Sequence, residues 1–152
     1  MTAEATKISS KQVQVTRVFR AARPTVFKYW SEAEKLEQWS GCKDSERCEI
    51  SMDFRVGGSF TQKMQIAGAG EFTITGRYLE IVEPERIVYE AILGSFAKSL
   101  VTVEFFEDGR GTRVALTQSG LPDDNICGFI AQGTSESFDK LEAWLPLEKA
   151  PA

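Results

Sequence analysis

The longest regular pattern in the chain runs from Asn125 to Leu145. Ile126, Phe129, Ile130, Gly133, Ser137, Phe138, Leu141, Trp144 and Leu145 recur there in steps of three and four. That spacing places them on one stripe of an α-helix. Gln132, Ser135, Glu136, Asp139, Lys140 and Glu142 fall on the face left to water. Asp123, Asp124 and Asn125 supply N-cap oxygens and negative charge for the first helical N–H groups, and Pro146 ends the pattern.

Upstream the period is two. Val13, Val15, Arg17 and Phe19 alternate with polar neighbours, then Ala22-Arg23-Pro24 breaks the strand and opens a short helix carrying Val26, Phe27 and Trp30. Leu36 and Trp39 predict a second short helix, and both helices are too short to stand alone. From Cys48 onward the alternating sets are Ile50-Met52-Phe54, Phe60-Gln62-Met64-Ile66, Phe72-Ile74-Gly76-Tyr78, Ile87-Tyr89-Ala91-Leu93, Val101-Val103-Phe105 and Val114-Leu116-Gln118. Glycine turns at Gly57-Gly58, Gly68-Gly70 and Gly109-Gly111, with Pro84, separate most of them. Consecutive strands with short turns predict an antiparallel meander of about seven strands. The class is α+β: a curved antiparallel sheet, two short helices, and one long C-terminal helix on the apolar face. Residues 1–11 read as a loose N-terminal tail, 12–146 as one domain and 147–152 as a C-terminal tail.

Composition narrows the function classes. With 42% hydrophobic and 26% charged residues, the chain is an ordinary globular one, and its net charge of −4 argues against a nucleic-acid surface. No apolar run reaches membrane-span length and no signal region opens the chain, so the expectation is a cytoplasmic protein without a membrane span. Three cysteines without paired spacing predict free thiols and no metal site. The absence of histidine removes the usual general base and the commonest metal ligand.

Several phrases carry a resemblance. Residues 17–30 (RVFRAARPTVFKYW), Trp39, the hairpin 53–60 (DFRVGGSF) and above all 76–89 (GRYLEIVEPERIVY) resemble the activator of heat-shock protein 90 ATPase homologue family. That family lies within the START-like, birch-allergen-like superfamily. The resemblance covers residues 12–146 and implies a helix-grip fold with a hydrophobic cavity between sheet and long helix.

The candidate ligand-binding set is Trp39, Phe54, Phe60, Met64, Phe72, Tyr78, Tyr89, Phe129, Gly133 and Phe138, all expected to face inward. Gly76, Ala91 and Gly133 leave room among them, while Gln62, Gln118 and the tyrosine hydroxyls offer polar anchors. No catalytic residue, metal or cofactor is expected. Glu80, Glu83 and Glu85 read as a solvated turn rather than an acid–base pair, and Gly57-Gly58 as a hairpin rather than a phosphate loop. Arg17 reads as a strand-end arginine reaching solvent along its stem; buried, it would need a carboxylate or a ligand anion. The leading expectation is a non-catalytic domain binding a small hydrophobic or amphipathic molecule, lipid- or polyketide-like. The alternatives are a chaperone-associated interaction protein and a cyclase- or hydrolase-type enzyme using Arg17, Glu71, Tyr78 or Tyr89. Monomer and homodimer both remain open, because exposed strands permit pairing.

Overall fold

The computed structural model describes residues 4–9, 12–40, 45–66, 68, 70–93, 98–109 and 111–145. Strand β1 (Glu4–Ser9) leads into β2 (Gln12–Phe19), followed by helices α1 (Arg23–Ser31) and α2 (Ala33–Trp39). Six strands come next: β3 (Ser45–Met52), β4 (Ser59–Ile66), β5 (Gly70–Val82), β6 (Arg86–Leu93), β7 (Lys98–Asp108) and β8 (Gly111–Ser119). Helix α3 (Asp124–Trp144) closes the order. All eight strands join one curved antiparallel sheet in the order β1-β2-β8-β7-β6-β5-β4-β3. The α+β helix-grip class stands.

One element departs from the pattern-based reading. Residues 4–9, expected within a loose tail, form an edge strand paired with β2 from Glu4 opposite Thr16 to Ser9 opposite Gln12. An edge strand is held by main-chain hydrogen bonds and needs no apolar alternation, so nothing in this polar segment announces it. The expected tail at 147–152 lies outside the described residues.

Local chemistry fixes the helices that frame the interior. Pro24 occupies the first turn of α1, where a missing N–H costs nothing. Glu32 is extended (φ −119°, ψ 127°), ends α1 and begins α2. The Trp39 indole N–H donates to the Tyr29 carbonyl at 2.9 Å, so α2 is tied to α1 through a buried hydrogen bond. At the start of α3 the Asp123 carboxylate accepts from the Ile126 N–H at 2.9 Å, the predicted N-cap.

Helix α3 rests on β1 and β2 and meets α2, while α2 leans on β3 and α1 on β7 and β8. Phe19, Trp30, Phe105 and Phe138 pack edge-to-face where these layers converge, with ring centroids 5.2–6.2 Å apart. Helices α3 and α2 are therefore seated near the two ends of the strand order, with α1 on β7 and β8. Strands β4, β5 and β6 face the helices across a gap.

Candidate functional site

Cross-strand register explains the gap. Tyr78 on β5 lies opposite Tyr89 on β6, Tyr89 opposite Val101 on β7, and Val101 opposite Gln118 on β8. These four make one row across the inner face of the sheet. The adjacent row reads Phe60, Gly76, Ala91 and Ser99. In this row of small residues the Phe60 ring lies over Gly76 and Ala91 lines open space, and on α3 the same space meets Gly133, where an added Cβ would meet nothing within 4 Å. The result is a cavity of about 190 Å³ between sheet and helix. An apolar cavity of ~150 Å³ takes up benzene, so this one has room for a ring and roughly one further water-sized group of ~30 Å³.

Of the expected set, Trp39, Phe60, Met64, Phe72, Tyr78, Tyr89, Phe129, Gly133 and Phe138 all line this cavity. Phe54 does not. Strand β3 ends at Met52, so the period-two reading fails two residues later, and Phe54 packs instead between Phe27 and Tyr78 (6.0 and 5.0 Å). It buttresses the wall from behind. Phe129 is 54% exposed and stands at the cavity's rim rather than inside.

The glycine hairpin has a structural task at this wall. The Gly57 N–H donates to the Tyr78 carbonyl (2.8 Å) and the Tyr78 N–H to the Gly58 carbonyl (2.9 Å), so the turn grips the backbone that carries Tyr78. Gly57 has φ +87°, and a Cβ on Gly58 would strike the Asp53 carbonyl. Arg55 and Asp53 close the turn at 2.7 Å on the surface.

The polar groups facing the cavity are uncharged among the described residues. Burial pushes the Tyr89 phenol up to about 12. Burial also raises Tyr78 well above the ordinary tyrosine range, with the neighbouring Tyr89 as the smaller cause. Both are therefore protonated at neutral pH, and neither hydroxyl has a hydrogen-bond partner among the described residues. Gln118 Nε2 donates to Ser99 Oγ at 2.8 Å, and Ser99 Oγ donates to the Ala91 carbonyl at 3.2 Å. Gln62 Nε2 donates to the Cys48 sulfur at 3.4 Å.

Charge lies elsewhere. Arg17 is buried, not solvated: its guanidinium reaches Asp139 and Glu142 on α3, each at 2.7 Å. The alternation showed its inward direction, but the partners sit on a helix more than a hundred residues away, which corrects the strand-end reading. Glu80 is held below the usual carboxylate range by its hydrogen bond from Arg86, opposite to what a general acid needs. Glu71 is exposed and accepts from Gln65 at 3.1 Å. Cys48 and Cys127 are buried, Cys42 lies outside the described residues, and no cluster of three metal-ligating side chains occurs among the described residues. No helix among the described residues is long and apolar enough to cross a membrane.

Residues 20–146 match the model of the Activator of Hsp90 ATPase homolog 1-like protein family. The chain belongs to this family. Solved structures share its fold. Protein CV1439 of Chromobacterium violaceum is 24% identical with a TM-score of 0.81, over 88% of this chain and 95% of that one. A Rhizobium leguminosarum protein is 28% identical with a TM-score of 0.76, over 97% of this chain and all of that one. CalU16 of Micromonospora echinospora is 16% identical with a TM-score of 0.73, over 96% and 87%. No curated protein matches the chain.

In this member of the Hsp90 ATPase activator homologue family, several lining residues escape a reading by alternation alone. Trp30 and Leu36 were visible as the inner faces of short helices, yet only the fold turns them toward the same space as Ile50, Ile87 and Leu116. Ser99, which holds the lining Gln118 side chain, belongs to the period of Val101 carried two residues upstream. The packing of the Phe60 wall is testable at Gly76. A Cβ there would overlap the Glu90 carbonyl and come within 2.5–2.6 Å of the Phe60 ring. Gly76→Ala is expected to cost about 1–3 kcal/mol by overpacking, read as a lower urea midpoint with unchanged slope. An unchanged midpoint would mean that the Phe60 ring does not lie over Gly76.

Proposed function

We propose that this protein is a non-catalytic binder that holds a small hydrophobic or amphipathic molecule between the sheet and α3. The observation that carries this reading is the cavity of about 190 Å³, walled mainly by aromatic and aliphatic side chains and lined, among the described residues, by no charged group. Open apolar space of this size lowers stability unless something fills it, since its walls forgo dispersion contacts. The volume suits one ring or a short chain, and a longer molecule would extend past the rim at Phe129. The lining supports binding without chemistry: among the described residues its titratable groups are two tyrosines held neutral, and no thiol, amine or carboxylate lines the space.

A chaperone-docking role would rest on a contiguous apolar surface. The exposed apolar residues on the outer sheet face are broken up by charge instead. Leu100 faces Glu90, Ile92 faces Lys98, and Arg113 stacks on Phe106 at 4.3 Å. The cavity is the stronger feature.

Native mass spectrometry of freshly purified protein tests the reading, with Gly133→Leu as control. Leucine at this helical position relieves a glycine penalty of about 0.8–1 kcal/mol and projects into open space. The variant is expected to be at least as stable as the parent while losing a one-to-one small-molecule adduct that the parent retains or takes up from a mixture of neutral ring compounds. A bare parent that also takes up nothing would remove the binding function.

A further inference from the structure

The orientation of one buried amide says which end of a ligand the cavity accepts. Ser99 Oγ spends its single proton on the Ala91 carbonyl, so towards Gln118 it can only accept. With that proton on the Ala91 carbonyl, Gln118 presents its N–H to Ser99. Its Oε1 is left with no donor among the described residues, on a side chain that is 7% exposed and lines the cavity. Reached from the cavity, that oxygen is an acceptor which a donor on the ligand can use. Farther along the same cross-strand row stand the Tyr89 and Tyr78 hydroxyls, also without protein partners. The opposite wall, around Phe60, Met64 and Phe72, is mainly apolar, with Gln62 and Ser40 as its polar residues.

Resting on the ligand-binding reading above, we infer that the cavity selects a neutral, single-ring molecule bearing one hydroxyl-type donor, with that donor given to Gln118 Oε1 and the ring lodged against Phe60 and Phe138. A charged counterpart is refused, because the only buried cation described, Arg17, already faces two carboxylates and does not line the space. Anions and ammonium groups would enter without a counter-charge.

The test titrates the full chain at neutral pH with p-cresol, toluene and benzoate, by calorimetry or by the fluorescence of Trp30 and Trp39 at the cavity wall. p-Cresol is expected to bind about tenfold more tightly than toluene, the equivalent of one hydrogen bond, and benzoate not to bind at concentrations that saturate with p-cresol. Gln118→Met keeps the volume and removes the acceptor; it is expected to erase the tenfold preference while toluene affinity holds. Should that variant fail to fold, Ser99→Ala frees the amide to present either end and is expected to narrow the same ratio. Equal affinity for p-cresol and toluene, binding of benzoate, or a ratio untouched by both variants would overturn the inference and leave the ligand-binding reading standing. Failure of all three compounds to bind would overturn both.

Discussion

Phe138→Ala is expected to lower the unfolding free energy by about 3–5 kcal/mol, the range for emptying a fully buried phenylalanine site. Phe138 is completely inaccessible and lies 5.5 Å from Phe19, centroid to centroid, and 6.2 Å from both Trp30 and Trp39. It is the one ring of α3 that touches strand β2, helix α1 and helix α2 together, so the surrounding shell cannot collapse into its place from any single side. It also forms one wall of the existing cavity, and its loss joins the new void to the old one. The variant should therefore admit larger apolar molecules than the parent, and a saturating one should restore part of the lost stability by mass action. Denaturant unfolding with and without ligand reads both effects. A loss under about 1 kcal/mol would mean that the ring is not packed as described.

The second large effect concerns the buried charge. Removing both partners of Arg17 by the double substitution Asp139→Asn and Glu142→Gln is expected to cost about 3–5 kcal/mol, because a guanidinium is left buried with no counter-charge. Its side chain is 2% exposed, and its Nε already lacks a partner among the described residues. The converse change is expected to be mild. Arg17→Met puts an apolar chain of similar length under the helix and leaves two carboxylates that are 66% and 39% exposed and can take up water. That substitution should fall within about 1 kcal/mol of the parent, and combined with the double change it should rescue most of the loss. Equal penalties from both directions would show that the pair acts as a surface ion pair, contributing symmetrically.

These two cases also mark where sequence reasoning stops. Alternation along Val13–Phe19 places Arg17 inward correctly, because side-chain direction in a strand is a local property. What it meets there depends on how α3 is seated, and that is decided by packing 122 and 125 residues downstream. The small row Gly76, Ala91 and Ser99 is similar. Gly76 and Ala91 were legible as small inward positions, but that they stand side by side, with Ser99 third, depends on register set by two hairpins. Phe54 misled because the period of two was carried past the last paired residue, Met52. Strand β1 was invisible for the opposite reason, being held by backbone bonds with no apolar pattern to reveal them. By contrast α3, its Asp123 cap, the Gly57-Gly58 hairpin and the seven patterned strands rest on local periodicity and turn chemistry. The structure reproduces them, with strand and helix ends shifted by a few residues.

The most direct measurement of the central claim is a two-dimensional amide NMR titration of the parent and Gly133→Leu with toluene. In the parent, saturable shifts are expected at Gly76, Ala91, Ser99, Gln118 and Gly133, around the cavity, with the outer-face strand positions Arg77, Glu90 and Leu100 changing far less. In Gly133→Leu, with the cavity filled from the helix, those shifts should vanish while the spectrum stays that of a folded protein. Shifts that persist unchanged in the variant, or that map to the outer face of the sheet, would contradict the account.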